Sequence, residues 1–178
     1  MGPEIEAYLA ASAAELVIHV DEADQPLGIT ARGSMQRHGL IPRCSFIFVF
    51  NSTGQLCVHQ RAAHKRLYPG AWDVAAGGVV AAGETYLEGA SRELWEELGV
   101  SGVELKSHFR FFYQSSESRL WGSVFSCTWD GLLSLQPEEV AAVRWIDPHQ
   151  PWQREGECYA PDSLQALGML LSDYASDR

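Results

Sequence analysis

The 178-residue chain lacks the features that mark membrane, secreted and zinc-binding proteins. No run of about 18 apolar residues occurs, so we expect no membrane-spanning helix. The N-terminal residues are acidic and include neither a basic segment nor a long apolar one, which predicts that no secretory signal is present. The cysteines, at positions 44, 57, 127 and 158, show no C-x-x-C spacing and no zinc pattern. They indicate reduced thiols in a cytoplasmic protein.

Positive charge is also scarce. The chain has 13 Lys and Arg residues against 23 Asp and Glu residues, which gives a formal net charge of -10. A protein that binds nucleic acid polymers needs a basic face, so this composition argues against a nucleic acid partner. It leaves open a small phosphate-bearing ligand, because such a ligand needs only local cations or a metal ion.

The chain does contain alternating strand-like and helical segments without an internal repeat, which predicts an α/β protein with a mixed sheet and helices packed outside it. We expect an N-terminal extension over residues 1–14 and one domain over residues 15–178. Residues 44–50 are almost wholly apolar, which is typical of a central strand, and residues 51–54 predict a hairpin to the next strand. Helices are predicted over 3–14, 32–38, 86–98 and 163–174, and strands over 15–20, 27–30, 44–50, 55–60, 103–114, 119–129 and 140–146, with extended chain over 72–80.

Residues 78–100 combine a glycine-containing loop with an acidic helix. Thr85 and Glu88 have the spacing of a capping box, and Gly99 is the residue expected just past the helix end. The predicted helix places Glu93, Glu96 and Glu97 within an arc of roughly 100°. An adjoining apolar stripe would pack on the core and consists of Leu87, Ala90, Leu94 and Leu98.

Clustered carboxylates repel one another, and a divalent cation would relieve the repulsion. Carboxylate oxygens suit Mg²⁺ or Mn²⁺. Gly77 and Gly78 have no side chains, so their backbone groups can approach an ion or a phosphate closely, and we expect Gly78 among the metal ligands. The alternative is a solvated helix face with Arg92 as an intrahelical partner. The fixed spacing to the upstream glycine and Glu84 argues against that alternative.

Residues 78–100 match, at every position, the pattern G-x5-E-x7-R-E-U-x-E-E-x-G-U, in which U is apolar and aliphatic. The chain therefore resembles the Nudix hydrolases. The resemblance implies an α/β/α sandwich and Mg²⁺-dependent hydrolysis of a diphosphate bond in a nucleoside diphosphate linked to another group X. The metal ligands that it implies first are Glu97 and Glu96.

The resemblance also implies roles for neighbouring residues. Glu93 would be a further ligand or the base that orients water, and Arg92 would position a carboxylate. Glu84 would brace the loop or reach the metal through water. Many members of the family use a glutamate outside the box as base or ligand, and the candidates here are Glu138 and Glu139, with a polar loop as the alternative.

Residues 61–72 fit the pattern R-x3-K-x3-P-G-x-W, which resembles the segment before the box in isopentenyl-diphosphate isomerases and related hydrolases. The resemblance makes Arg61 and Lys65 candidate ligands of a substrate diphosphate. The alternative is that both are exposed surface cations. These isomerases also use a C-G-H segment, whose cysteine and histidine positions here fall on Gly77 and Val79.

The chain therefore resembles the YfcD-like branch of hydrolases more than it resembles an isomerase. The other alternative is a regulatory module that binds a nucleotide without catalysis, and the intact acid cluster argues against it. The expected partner is a small diphosphate substrate, and a homodimer is the first expectation for the oligomeric state because dimers are commonest.

Overall fold

A computed structural model describes residues 2–176, so positions 1, 177 and 178 of the predicted extension and domain lie outside it. It contains four helices and eight strands. In chain order the elements are α1 (Pro3–Ala14), β1 (Leu16–Val20), β2 (Pro26–Ala31), α2 (Arg32–Arg37), β3 (Ile41–Phe50), β4 (Leu56–Arg61), β5 (Trp72–Asp73), α3 (Tyr86–Leu98), β6 (Lys106–Gln114), β7 (Arg119–Thr128), β8 (Val140–Ile146) and α4 (Pro161–Ser176).

The strands form one mixed sheet, as predicted. β3 lies at its centre and pairs with β1, β4 and β7. The pairing of β3 with β7 is parallel from Arg43 to Phe50, and the other pairings between the strands named above are antiparallel. A central strand is covered on both faces, which explains why residues 44–50 are almost wholly apolar.

The hairpin predicted around residues 51–54 is present, but its strands separate at once. β3 and β4 share a single register pair, Phe50 with Leu56, and β4 then pairs along its length with β8. The reason is the extended segment predicted over 72–80. Its first part pairs with β4 as β5, and its second part bridges to β3 through Ala76 and Val79. This segment takes the edge of β3 that β4 would otherwise cover.

Helices cover both faces of the sheet because successive side chains of β3 point in opposite directions. Phe46 and Phe48 join the core cluster that contains residues of α4, whereas Ile47 and Val49 join the cluster that contains residues of α3. This arrangement is the predicted α/β/α sandwich. No helix within residues 2–176 has both the length and the apolar character needed to cross a membrane.

Helix α3 has the predicted bounds. Thr85 caps it, Glu88 completes the capping box, and Gly99 ends it with a φ of +69°. The prediction was wrong for Leu87, which is 50% exposed. The buried face instead begins at Tyr86, and Leu87 lies with Ser91 and Trp95, at a spacing of four residues, on the outer face.

The predicted extension corresponds to α1, which packs against α2. The boundary between residues 14 and 15 stays a prediction.

Candidate active site

The loop before α3 is bound to the centre of the sheet. The backbone N–H of Ser45 donates to the carbonyl of Gly78 at 2.9 Å, and that of Val80 donates to the carbonyl of Arg43 at 2.8 Å. Gly77 has a φ of +138°, and a Cβ there would lie 2.0 Å from the carbonyl oxygen of Ser45. Only glycine fits at this position, which fixes the path of the loop.

Two carboxylates of α3 lie against this loop. A Cβ on Gly78 would be 2.7 Å from the carboxyl carbon of Glu93. The backbone N–H of Gly77 donates to Oε2 of Glu97 at 3.0 Å. Glu93 is 9% exposed and Glu97 is 3% exposed. Two of the three residues of the predicted acidic face, Glu93 and Glu97, therefore point inward onto the glycines.

Burial strongly shifts the pKa values of Glu93 and Glu97. It raises the pKa of Glu97 to about 8, and the nearby charge of Glu93 acts in the same direction. Burial also raises the pKa of Glu93, which the positive charge of Arg92 opposes. Two neighbouring carboxylates whose pKa values burial raises are the groups that a divalent cation would stabilise in their ionised form.

Arg92 holds three carboxylates at once. Its Nε and Nη2 donate to the two oxygens of Glu84 at 2.7 and 3.0 Å. Its Nη1 donates to Glu93 at 2.9 Å and to Glu96 at 3.1 Å. Glu84 also accepts the backbone N–H of Ala81 at 3.0 Å, so it braces the loop. The arginine thus links the loop to the acidic face of α3 through bidentate and charge-assisted hydrogen bonds.

The three predicted metal ligands are not gathered around one point. Glu93 and Glu97 lie against the glycine loop, whereas Glu96 is directed to Arg92 and is more exposed. Within residues 2–176, no three His, Cys, Asp or Glu side chains are arranged to hold a metal ion. The pair Glu93 and Glu97 nevertheless fits Mg²⁺, because this ion takes only one or two carboxylates and completes its shell with water and substrate oxygens.

The predicted phosphate ligands lie beside this pair, and both have carboxylate partners. Arg61 donates to Asp73 at 3.0 Å and to the carbonyl of Leu67 at 3.2 Å. Lys65 pairs with Glu139. The positive charges of Arg61 and Lys65 lower the pKa of Glu97, which reflects their proximity to the box. Neither cation is a free surface group, so the surface alternative is wrong.

The structure distinguishes the two glutamates outside the box. The side chain of Glu139 contacts Lys65 and the hydroxyl of Tyr8, whereas Glu138 contributes its carbonyl oxygen to the ring of His64 at 2.7 Å. Burial raises the pKa of Glu139 and lowers the pKa of Lys65, because both groups would carry charge in a partly dehydrated environment. Glu139 is therefore the member of the pair whose carboxylate contacts Lys65, the predicted phosphate ligand.

A cavity of about 390 Å³ lies next to this carboxylate. Its volume is in the range of about 300 to 1,000 Å³ that is usual for small-molecule sites. Two carboxylates, Glu117 and Glu139, lie in its wall with five cations, although the whole chain carries a net charge of -10. The cations are Arg32, Arg61, Lys65, Arg66 and Arg119. Within the wall the cations outnumber the carboxylates, which favours an anionic ligand. Such a ligand would share Arg32, Arg61 and Arg119 with carboxylates outside the wall, which are Glu15, Asp73 and Glu22.

Sequence reasoning missed Tyr8 and Asp73. Tyr8 lies 131 residues from Glu139, and no local pattern relates the two positions. Asp73 directly follows the tryptophan of the R-x3-K-x3-P-G-x-W segment, so its position next to Arg61 could have been inferred from the pairing of two short extended segments.

Comparison with known proteins identifies the family of the chain. A model of the NUDIX domain matches residues 41–164. The chain is 49% identical over 166 residues to an uncharacterised Nudix hydrolase of Pseudomonas aeruginosa, which covers 93% of this chain and 98% of that protein. It is 37% identical to the Nudix hydrolase YfcD of Escherichia coli, over 92% of this chain and 90% of YfcD.

Solved structures have the same fold. A crystal structure of a protein from Deinococcus radiodurans has a TM-score of 0.75 at 29% identity, and the match covers 87% of this chain and 98% of that one. A MutT protein of Methanosarcina mazei has a TM-score of 0.63 at 20% identity and covers 76% of this chain and 95% of its own, which supports the fold.

These findings do not favour the isomerase or the regulatory module. Nudix hydrolases generally use divalent cations and act on small-molecule substrates. The chain belongs to the Nudix hydrolase family, in its YfcD-like branch, and is a pyrophosphohydrolase.

Proposed function

We propose that the protein hydrolyses, with Mg²⁺, a diphosphate bond in a nucleoside diphosphate linked to another group X. The observation that carries the proposal is the position of Glu93 and Glu97, two buried carboxylates fixed against a glycine loop. Arg61 and Lys65, which are near enough to lower the pKa of Glu97, line the neighbouring cavity. Burying two carboxylates without a bound cation costs stability, and buried acids with perturbed pKa values are typical of functional sites.

Glu93 and Glu97 are the residues that would hold the ion, with the carbonyl oxygen of Gly78 as a third donor. That oxygen already accepts the N–H of Ser45, and a carbonyl oxygen has a second lone pair with which it would bind the ion. Glu96 would become a further ligand if its side chain left Arg92 and turned toward the ion. Its side chain is partly exposed and therefore has space to move. When bound, Mg²⁺ (or Mn²⁺) lowers the pKa of coordinated water and offsets charge on the phosphates.

Arg61 and Lys65 would bind the diphosphate of the substrate. Both lie in the wall of the cavity and near enough to Glu97 to affect its pKa. Arg61 is held in place by Asp73, so its guanidinium is oriented before a ligand arrives. Lys65 is the more adaptable cation, because an ammonium group on a flexible stem can move from Glu139 to a phosphate oxygen.

Glu139 would then be free to accept a proton. Its carboxylate faces Lys65, and burial raises its pKa to about 7, which suits a general base at neutral pH. We assign the base to Glu139 and retain Glu93 as the alternative, because Glu93 is nearer to the glycine loop. Arg92 and Glu84 act by holding the carboxylates and the loop in position.

The cavity supports one small diphosphate as the partner rather than a polymer, since its volume is about 390 Å³. The homodimer and the cytoplasmic location stay predictions of the sequence.

A panel of diphosphate compounds, incubated with the purified protein and Mg²⁺, tests this proposal. We expect release of phosphate or a nucleoside monophosphate from at least one compound, and none in EDTA. Glu97→Gln should reduce the rate by at least about a hundredfold, the scale expected when metal catalysis is lost. Glu155→Gln, which changes an exposed glutamate, is the matched control. The proposal is wrong if no compound is cleaved or if Glu97→Gln cleaves as fast as the wild type.

A further inference from the structure

The N-terminal helix α1 covers the cavity, although its sequence gives it little reason to pack there. None of its residues is buried, and its first turn carries two acidic residues. One face of the helix nevertheless lines the cavity through Tyr8, Leu9, Ser12 and Ala13. A helix of 12 residues that buries no side chain gains little from core packing, so core stability does not explain its position.

The C-terminal end of α1 is attached to α2. The backbone N–H of Arg32 donates to the carbonyl of Glu15 at 2.8 Å, and the side chains of these residues form an ion pair at 3.2 Å. Gly33 lies so close to α1 that a Cβ there would be 3.2 Å from the Cβ of Ala13. These contacts fix the end of the helix and leave the position of its middle to other contacts.

The middle of α1 is attached through Tyr8, whose hydroxyl donates to Oε1 of Glu139. The other oxygen, Oε2, pairs with Lys65. The side chain of Glu139 is only 10% exposed, so few water molecules can replace either partner. With one oxygen bound by a hydroxyl and the other by an ammonium group, the carboxylate cannot rotate without breaking a charge-assisted hydrogen bond.

We propose that Tyr8 is a positioning residue of the hydrolase, which, together with Lys65, holds the carboxylate of Glu139 in one orientation toward the cavity. The active site thereby includes an element outside residues 41–164, the part that the NUDIX domain model matches. When Lys65 moves to a substrate phosphate, the hydroxyl of Tyr8 is the contact that keeps Glu139 in place. The inference rests on the proposed function, in which Glu139 is the base.

The test is Tyr8→Phe, which removes one hydroxyl and keeps the ring. Tyr159→Phe is the matched control, because the hydroxyl of Tyr159 also donates to a carboxylate, that of Glu157 at 2.5 Å, and does not line the cavity. We expect Tyr8→Phe to lower kcat by about tenfold, as is usual when the partner of a functional side chain is lost, and to leave KM within about twofold of the wild type. Tyr159→Phe should leave both constants unchanged.

Two further measurements separate positioning from a merely structural role. Tyr8→Phe combined with Glu139→Gln should be no slower than Glu139→Gln alone, because the hydroxyl acts only through that carboxylate. A crystal structure of Tyr8→Phe should show the carboxylate of Glu139 rotated or in two orientations. An unchanged kcat, a rise in KM alone, or an unmoved carboxylate would each overturn the inference. If the wild type cleaves no diphosphate, the proposed function fails, and the crystal structure of Tyr8→Phe still decides whether Tyr8 orients Glu139.

Discussion

The backbone N–H of Gly77 donates a hydrogen bond of 3.0 Å to the carboxylate of Glu97, twenty positions further along the chain. This bond joins the loop that carries the glycines to the helix that carries the acids. The carboxylate is therefore oriented before any ion or substrate binds, which lowers the cost of assembling the site.

Gly78→Ala should abolish most of the activity. A Cβ at this position would lie 2.7 Å from the carboxyl carbon of Glu93, so the carboxylate must move away from the loop. We expect kcat/KM to fall by at least about a hundredfold, as a displacement of about 1 Å in a catalytic group can cause. Gly168→Ala is the control, because no atom lies within 4 Å of its added Cβ and alanine favours helix. Full activity in Gly78→Ala would contradict the role of this close approach.

Arg92→Lys should reduce activity even though the charge is retained. Lysine cannot donate simultaneously to Glu84, Glu93 and Glu96, so the loop and the acidic face lose their common partner. We expect a fall in kcat of about tenfold or more. Arg144→Lys removes a similar bidentate contact, with Glu157, and should lower the melting temperature while kcat is retained. Equal kcat values for the two variants would argue against a positioning role for Arg92.

Lys65→Gln should weaken substrate binding. A hydrogen bond to a charged group contributes about 1.5 to 3 kcal/mol, which corresponds to an increase in KM of about ten- to a hundredfold. Arg154→Gln removes an exposed cation outside the cavity wall and should leave KM unchanged. Steady-state kinetics on any cleaved diphosphate would measure both effects. A normal KM in Lys65→Gln would remove Lys65 from the phosphate site.

The stability of the metal-free protein should depend on the proton carried by Glu97. Its pKa is about 8 in the folded protein, against 4.5 for an ordinary glutamate, so the folded state binds the proton more tightly than the unfolded chain. The contribution of this group to the free energy of unfolding is therefore fully present below about pH 4.5 and is lost as the pH rises through about 8.

Thermal unfolding in EDTA measures this effect. Relative to Glu97→Gln, which cannot titrate, the wild type should lose stability by at most about 1.4 kcal/mol per pH unit between about pH 5 and pH 8. Saturating Mg²⁺ should oppose this loss, because the ion binds the ionised carboxylate. A difference between the two proteins that does not vary with pH would show that Glu97 is already ionised at acidic pH.

Local patterns in the sequence predicted the segment that carries the chemistry. The bounds of α3, its capping residues and the terminal glycine agree with the structure because they depend on neighbours within a few positions. The central position of β3 also followed from its composition. The error at Leu87 arose because periodicity alone does not decide which residue lies at the border of the buried face. In the structure Tyr86 packs on the core and Leu87 is exposed.

Contacts between distant segments could not be derived in this way. The pair of Tyr8 with Glu139 depends on how the fold brings α1 next to the segment before β8, 131 residues away. The choice between Glu138 and Glu139 depends on the register of β8 against β4, in which Val140 lies opposite Arg61. Helical periodicity predicts which residues share a face but not what that face packs against. Glu93 and Glu97 point inward because the glycine loop, which is hydrogen-bonded to β3, lies beside them.

The central claim is that Glu93 and Glu97 jointly bind a divalent cation. The most direct measurement is the anomalous scattering of a crystal of the protein soaked in Mn²⁺, compared with a crystal of Glu97→Gln treated in the same way. We expect a peak between the two carboxylates, within coordination distance of both and close to the carbonyl of Gly78, and no such peak in the variant. A wild-type crystal with no ion between Glu93 and Glu97, grown from protein that cleaves a diphosphate in the presence of Mn²⁺, would contradict the account.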